Sequence, residues 1–431
     1  MAGMAPLKSI IEENGIQITL ISSTVLTPYS GMLPGLIAGH YTEDEIHLDL
    51  RKLCSFSGIR FIHAAAVGIT YNDDGDDGGG SGDGGGWIKC SDGRPDVRYD
   101  ALSIDVGSCP HIPTELLHVN DTMDSDADAF TDTGIARITP VKPISTFSER
   151  WNAICERLRN APVDEYSPDR PFSLVVVGGG AGGIELALSA KYSLNHILAS
   201  KLSTSSNSKS NSHEFSFNSN DCIKIILATR GQNLLPSHNE GVRDIFRRIL
   251  KERNIELRCG AEAIGVEISN SNSNSNSNSN ADQSDLSSSS PSQNRPRKSL
   301  KLSPDSYQSS ESQSQPQPPI YFDECLWCTS AGASSWLSDD TPFDTTADGF
   351  VKVKDTYELM NHRGVFAAGD CCHMVDNPRP KGKTEHEDDR YSIQHVHIRL
   401  PTNSSDHTYC PYSTLSLSSK LAYLLYERDQ F

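Results

Sequence analysis

The sequence predicts an α/β protein built from two three-layer, doubly wound domains that long disordered insertions interrupt. Three observations support this prediction. A strand–helix–strand repeat occurs twice, a glycine-rich turn joins an apolar strand to a helix, and low-complexity tracts separate the patterned segments. The 431 residues have room for two or three domains of about 150 residues each.

The composition excludes several classes of protein. Acidic residues outnumber basic ones by 56 to 38, and the formal net charge of −18 argues against nucleic acid or an anionic membrane as a partner. No apolar run approaches the length of a transmembrane helix. The N-terminus lacks the apolar core of a signal peptide, and the 11 scattered cysteines fit reduced thiols. We therefore expect an intracellular protein, either cytoplasmic or organellar.

Three tracts carry too few apolar side chains to form a core. Residues 71–86 are rich in Gly and Asp, while 201–220 and 269–318 are rich in Ser, Asn and Gln. Such segments cannot bury enough surface to offset the entropy lost on ordering. We expect all three to be disordered insertions in loops, where added length changes stability little.

The first repeat begins with a predicted strand, Ile16–Ser22, and continues through residues 42–64. A helix is predicted there by the spacing of Ile46, Leu50, Leu53 and Cys54. Gly58 ends the helix, and a short strand follows from Ile59.

The second repeat begins with the predicted strand Ile223–Thr229 and continues through residues 239–259. Its helix has one apolar face, formed by Val242, Ile245, Phe246, Ile249 and Leu250. A strand is predicted from Ile255. Two such repeats indicate tandem doubly wound domains, although ordinary α/β proteins also show this alternation.

The sharpest motif lies at 173–185, SLVVVGGGAGGIE. Gly178 allows a tight turn, Gly180 lets a diphosphate approach the backbone, and Gly183 lets the helix pack on the strand. A Walker loop would need Lys and Ser or Thr after its last glycine, whereas Ile184 and Glu185 follow here. The pattern therefore predicts a dinucleotide site, with a glycine-rich turn that binds nothing as the alternative.

Two further positions matter to this prediction. The strand after the glycine motif ends in Thr229-Arg230, without the carboxylate that reads an NAD ribose. Arg230 could contact a 2′-phosphate or could be an ordinary solvated arginine. Farther along, Gly364–Asp370 is an apolar strand that ends in Gly369-Asp370, which places a carboxylate beside a glycine.

Four motifs together resemble a known family: Tyr29–Gly35, Ala101–Gly107, the turn at 178–183 and Gly364–Asp370. They are similar to the FAD-dependent pyridine nucleotide–disulfide oxidoreductases. The branch they resemble is the type II NADH dehydrogenase-like one, within it the flavoprotein associated with selenide, water dikinase. The resemblance covers roughly residues 5–382 and implies two Rossmann-like domains, one for FAD and one for NAD(P).

The resemblance also implies roles for individual residues. Gly178, Gly180 and Gly183 would hold the NAD(P)H diphosphate, and Glu185 would lie near the nicotinamide and the flavin. The flavin itself would be bound by Pro34, Gly107, Gly369 and Asp370. The implied reaction is hydride transfer from NAD(P)H to FAD, followed by reduction of a small-molecule acceptor such as a quinone. A homodimer is compatible with this family.

The implied domains follow from the same resemblance. Residues 1–145 would form the first part of the FAD-binding domain, and 336–382 its second part. The NAD(P)-binding domain would take 165–335, and 383–431 would be a divergent tail.

The sequence also departs from the family pattern. The central first strand and its glycine turn are missing before the predicted helix Met4–Asn14, and Ser22-Ser23 replace an expected acid. The family pattern is expected to end at Lys381. These departures favour an alternative reading, a truncated, non-catalytic NAD(P)-binding remnant.

Cys325-Leu-Trp-Cys328 has the spacing of a redox pair. It lies in a segment with strand character, where residues three apart point to opposite faces. We therefore expect no disulfide between Cys325 and Cys328.

Overall fold

The structure is a computed structural model. It describes residues 15–71, 85–110, 138–162, 165–206, 219–236, 238–269, 297–303, 318–329, 331–376 and 378. The predicted helix Met4–Asn14 and the tail 383–431 lie outside the described residues, as do most of the three low-complexity tracts.

The helices and strands alternate along much of the described chain. The helices are α1 (Leu33–Ile37), α2 (Glu43–Ile46), α3 (Leu50–Ser57), α4 (Ile144–Asn160), α5 (Ala181–Ser206), α6 (Glu240–Glu252) and α7 (Trp336–Asp339). The strands are β1 (Thr19–Ser22), β2 (Leu26–Pro28), β3 (His47–Asp49), β4 (Arg60–His63), β5 (Ala66–Tyr71), β6 (Gly86–Cys90), β7 (Val97–Tyr99), β8 (Leu102–Ile104), β9 (Cys109–Pro110), β10 (Ile138–Pro140), β11 (Phe172–Val177), β12 (Ile223–Ala228), β13 (Ile255–Arg258), β14 (Ala263–Ser269), β15 (Arg297–Leu302), β16 (Ile320–Phe322), β17 (Glu324–Trp327), β18 (Ala331–Gly332), β19 (Val351–Val353), β20 (Val365–Ala367) and β21 (Cys372–Met374).

The described residues divide into two compact units. Unit 1 takes those within Met1–Thr27, His47–Cys109 and Ala331–Phe431, and unit 2 takes those within Pro28–Ile46 and Pro110–Ser330. This division differs from the predicted domains, because Pro28–Ile46 belongs to unit 2 rather than to a single segment 1–145.

Unit 2 is organised around one five-stranded parallel sheet, with the order β10-β17-β11-β12-β13. Its central strands are apolar along their length, as expected for strands buried on both faces. On one face, α4 and α5 pack over β11 and β12, where the side chains with the least exposure include Phe147, Ile154, Leu174, Leu194 and Ile225. This arrangement confirms the predicted α/β class.

The other face of this sheet is covered by an antiparallel sheet, β14-β15-β16. A second core forms between the two sheets from Val175, Val177, Ile226, Val266 and Leu300, among others. Unit 2 therefore has three layers, as predicted.

Strand β15 corrects the prediction of disorder over the whole of 269–318. Within Arg297–Leu302, Ser299 and Leu300 are buried while Lys301 is exposed. Leu300 reaches the core between the two sheets, and β15 pairs with β14 and β16 on its two edges, which orders a strand inside a polar tract. The tract 201–220 is corrected in the same way at its start, because α5 continues to Ser206.

An ion pair ties α4 to the centre of the sheet. Glu324 on β17 is fully buried, and the guanidinium of Arg157 donates to its two carboxylate oxygens at 2.8 and 3.1 Å. Hydrogen bonds from an ionised, planar donor of this kind are the strong ones.

The second repeat folds as the sequence predicts. The side chain of Asn239 caps α6 by accepting from the N–H of Val242 at 3.0 Å, and β13 follows after Asn254. Ile245 is an exception on the predicted apolar face, because it is exposed.

The first repeat is only partly as predicted. Its helix is interrupted by β3 and restarts at Leu50, because the carboxylate of Asp49 caps a new helix by accepting from the N–H groups of Arg51 and Lys52. Gly58 ends α3 with φ of 70°, as expected for a glycine stop. Strand β1 begins at Thr19 rather than at Ile16.

Unit 1 contains short parallel pairs instead of one wide sheet. Strand β1 pairs with β4, β8 pairs with β20, and β19 pairs with β21. An antiparallel sheet, β5-β6-β7, completes the unit. A core that includes Ile104, Val353 and Val365 joins β8, β19, β20 and β21 to this antiparallel sheet.

Candidate functional site

The glycine-rich turn lies at the carboxyl edge of the parallel sheet in unit 2. The N–H of Gly178 donates to the carbonyl of Ala228 at 2.8 Å, and the N–H of Leu235 donates to Gly179 at 2.8 Å. Helix α5 starts at Ala181, and Ile184 is the first of its residues whose N–H reaches back to Gly180, at 3.2 Å. The N–H groups before Ile184 therefore point out of the helix end, as an anion-binding turn requires.

Each of the three motif glycines is required for a different steric reason. Gly178 adopts φ of 134°, which side chains rarely tolerate. A Cβ atom on Gly183 would lie 1.9 Å from the carbonyl oxygen of Gly178, so only glycine allows the helix to pack this closely. A Cβ atom on Gly180 would meet nothing within 4 Å, which means that space is open at this position. The turn has the shape that a dinucleotide diphosphate needs.

Glu185 lies just after the first turn of α5, on the exposed side. The protein atoms packed around it partly desolvate its carboxyl group and raise its pKa above the ordinary range. Its predicted place near a nicotinamide stays a prediction.

Thr229 and Arg230 follow β12, next to the glycine turn. Thr229 is buried, and its hydroxyl oxygen would lie 2.5 Å from a Cβ atom on Gly179, so its side chain packs against the turn. The guanidinium of Arg230 is 80% exposed and lies 3.8 Å from a carboxylate oxygen of Glu262. The sequence analysis did not predict a role for Glu262. This residue lies in the loop after β13, far in sequence from Arg230.

Pro34 lies in α1, which belongs to unit 2. The buried side chains of Leu33 and Ile37 pack into the same core as α5. The structure thus brings Pro34 into the unit that contains Gly178, Gly180, Gly183, Glu185 and Arg230.

The other predicted residues meet in unit 1, where β8 and β20 run side by side. Gly107 has φ of 69° and Gly369 has φ of 71°. The hydroxyl of Ser108 donates to Asp370 at 3.3 Å, across 262 residues of sequence. Gly107, Gly369 and Asp370 are therefore neighbours in the fold.

A second carboxyl group, that of Asp105, lies close to Gly369. One of its oxygens would be 2.7 Å from a Cβ atom on Gly369, so it lies directly over that glycine. Surrounding protein atoms, and then the negative charge of Asp370, raise the pKa of Asp105. Sequence analysis gave Asp105 no role, although this residue lies inside the motif Ala101–Gly107.

Residues 133–398, more than half of the chain, match the pyridine nucleotide-disulphide oxidoreductase family. The chain belongs to this family. Membership confirms the predicted family, whose members are flavin-dependent oxidoreductases that use a pyridine nucleotide. The match also runs past Lys381, where the sequence analysis expected the family pattern to end, so that expectation was wrong.

Several solved structures share the fold. NDH2 from Plasmodium falciparum in complex with NADH is 14% identical, with a TM-score of 0.52, over 84% of this chain and 60% of that chain. The sulfide:quinone oxidoreductase of Aquifex aeolicus is 13% identical, with a TM-score of 0.53, over 89% of this chain and 70% of that one. No curated protein matches. The chain therefore spans about 60% of the length of the Plasmodium structure.

The family name includes a disulphide, and none of the described cysteines forms a disulfide bond with another. Cys325 belongs to the core between the two sheets, whereas Cys328 packs toward the helices, so the two point to opposite faces as predicted. Burial raises the pKa of Cys371 to about 12. Cys109 differs from these, because it is exposed and lies 3.3 Å from the hydroxyl of Ser334.

None of the described helices combines the length and the apolar character that crossing a lipid bilayer requires. The nature of the electron acceptor and the association with selenide, water dikinase stay predictions.

Proposed function

We propose that this chain is an FAD-dependent NAD(P)H oxidoreductase that passes electrons to a small-molecule acceptor such as a quinone. The observation that carries the proposal is the turn at 178–183, which is open at Gly180 and closed at Gly183. The open space at Gly180 leaves room for a diphosphate beside the N–H groups at the helix end.

The residues of unit 2 fit a pyridine nucleotide. The N–H groups at the start of α5 would hold its diphosphate, because they lack partners within the helix and lie at the positive end of the helix dipole. Glu185 would border the nicotinamide end of the site. Its raised pKa allows it to hold a proton closer to neutral pH than an ordinary glutamate does.

The residues of unit 1 fit one part of FAD. Asp370 would accept hydrogen bonds from the hydroxyl groups of the ribityl chain, and the neighbouring Gly107 and Gly369 would let the ligand approach the backbone. When bound, FAD supplies the capacity to take a hydride and release electrons to an acceptor. Within the described part of unit 1, no glycine-rich turn joins a parallel strand to a helix, so these residues offer the diphosphate no cradle like the one in unit 2.

The lack of a glycine-rich turn in the described part of unit 1 favours a second candidate function, a nucleotide-binding protein that carries no flavin. The two candidate functions predict different colours for the purified protein. An FAD enzyme is yellow when purified and loses its flavin absorbance when NADH is added without oxygen, whereas a nucleotide-binding chain is colourless.

The experiment combines flavin content with nucleotide titration on the full chain and on Gly180→Val. Because a Cβ atom at Gly180 would meet no protein atom within 4 Å, this variant should melt near the native temperature but bind NAD(P)H about a hundredfold more weakly. Gly241→Ala, in the first turn of α6, is the control and should bind as the native chain does. Unchanged binding by Gly180→Val would refute the proposed site.

A further inference from the structure

The end of β12 is where a doubly wound fold reads the adenosine ribose of its nucleotide. Thr229 occupies that position, but its side chain packs against Gly179, and its N–H donates to the carbonyl of Arg258 at 2.9 Å. The side chain and the N–H group of Thr229 are therefore used in the packing of the fold and do not face a ligand. The next side chain, that of Arg230, extends into solvent.

The carboxylate of Glu262, which lies on another loop, is close to the end of β12. The N–H of Ala261 donates to Thr229 at 2.9 Å, and the N–H of Gly260 donates to Gly231 at 3.0 Å, so residues 260–262 run beside 229–231. Gly260 permits this path with φ of 67°. The result is that Glu262 lies 3.8 Å from the guanidinium of Arg230.

Stability does not account for this pair. The two side chains are 80% and 38% exposed, and ion pairs between exposed groups contribute about 0–1 kcal/mol. Arg258, the other cation next to Thr229, has its guanidinium engaged by Glu256. Among the described residues beside Thr229, Arg230 and Glu262 therefore carry the charges at the edge of the proposed nucleotide site.

We propose that Arg230 and Glu262 form an opposed pair that sets the choice between NADH and NADPH. The proposal rests on the proposed nucleotide site at 178–183. Arg230 attracts the 2′-phosphate of NADPH. Glu262 competes for that guanidinium, repels the phosphate, and accepts a hydrogen bond from the 2′-hydroxyl of NADH. With both residues present, the chain binds the two nucleotides with similar affinity.

The test measures dissociation constants for NADH and NADPH by calorimetry on the full chain, without relying on turnover. Glu262→Gln should tighten NADPH binding about tenfold and leave NADH binding within about twofold. Arg230→Ala should weaken NADPH binding about tenfold and leave NADH binding unchanged. Quenching of the tryptophan fluorescence, to which Trp327 beside Val177 at the end of β11 contributes, gives a second readout.

The matched control is Glu252→Gln, which removes a carboxylate from another exposed pair, Arg248–Glu252 at 3.9 Å on α6. It should change neither dissociation constant. If the native chain binds both nucleotides and Glu262→Gln changes the ratio of their dissociation constants by less than twofold, the proposal of an opposed pair is refuted. The proposed nucleotide site at 178–183 is then still supported. If the native chain binds neither nucleotide, the proposed function fails and this proposal fails with it.

Discussion

The parallel strands of unit 2 form one continuous sheet, whereas those of unit 1 occur as separate pairs. In unit 2, β11 has β17 on one side and β12 on the other. In unit 1, β1 pairs with β4, and among the described residues no strand lies against the other edge of that pair. Strand β20 pairs with β8 on one edge and forms only an isolated antiparallel bridge, Glu358 with Phe366, on the other. The same type of βαβ sequence thus gives a complete sheet in one region and fragments in the other.

This difference separates two requirements of the proposed chemistry. The nucleotide site depends on a turn that follows a fully paired strand, so its shape is fixed by the sheet below it. The proposed flavin residues depend on the β8–β20 pair and on contacts between loops, such as Ser108 with Asp370. Unit 2 should therefore respond sharply to substitutions that disturb packing, and unit 1 should be the less protected region.

The largest effect is expected from Gly183→Ala. The added methyl group would overlap the carbonyl oxygen of Gly178, which should lower the free energy of unfolding by roughly 4 kcal/mol and abolish nucleotide binding. Gly182→Ala is the control in the same helical turn, since its Cβ atom would meet nothing within 4 Å. Chemical denaturation of both variants measures the difference. Equal stability of the two would mean that α5 does not pack tightly on the turn.

The next effect concerns the ion pair between α4 and the sheet. Glu324→Ala leaves Arg157 without its buried carboxylate and should cost about 3 kcal/mol in urea denaturation. Glu156→Ala removes a similar pair on the same helix, Arg159–Glu156 at 2.8 Å, whose side chains are 49% and 58% exposed. That control should cost no more than about 1 kcal/mol. Similar losses in both variants would contradict the structural role of Glu324.

Hydrogen exchange compares the two regions directly. Amide groups of β11 and β12 should exchange at least about tenfold more slowly than those of β1 and β4, because strands that are paired on both sides open less often. Mass spectrometry of the native full chain after timed exchange provides the measurement. Equal protection of the two regions would show that the edges of the unit 1 pairs are covered.

The smallest effect is expected at Asp105. Its pKa is raised in the folded chain, so the charged form opposes folding above that pKa, and the penalty disappears as the pH falls toward the ordinary value of about 3.9. Asp105→Asn should therefore be slightly more stable than the native chain at pH 7, with the gain vanishing near pH 4. Asp100→Asn, whose side chain is 89% exposed, should change little at either pH. A gain that grows on acidification would reverse the sign and refute the assignment.

Local patterns predicted the parts of the fold that local physics determines. Helix α6 and strands β11, β12 and β13 follow from apolar periodicity, and the turn at 178–183 follows from its glycines. The break between α2 and α3 was not predicted, because the apolar spacing continues across β3 while the capping carboxylate of Asp49 starts a new helix. Strand β15 was hidden because the residues around it are polar.

The candidate site was predictable only where its residues are close in sequence or belong to a family motif. Gly107 and Asp370 were predicted through the resemblance, and strand pairing brings them together. Asp105 lies inside the motif Ala101–Gly107, but its position over Gly369 depends on the pairing of two distant strands. Glu262 was missed because it lies beside Arg230 only in the folded chain, where two loops run side by side.

The contrast between Cys109 and the other described thiols has a practical consequence. The remaining described cysteines are buried or half-buried, and thiols reach reagents poorly when they are protonated and enclosed. A brief treatment with a maleimide dye should therefore label Cys109 ahead of its described counterparts. The attached probe would follow Ser108 directly in the chain, next to the hydroxyl that contacts Asp370. The chain thus has a natural attachment point for an optical reporter of ligand arrival in unit 1.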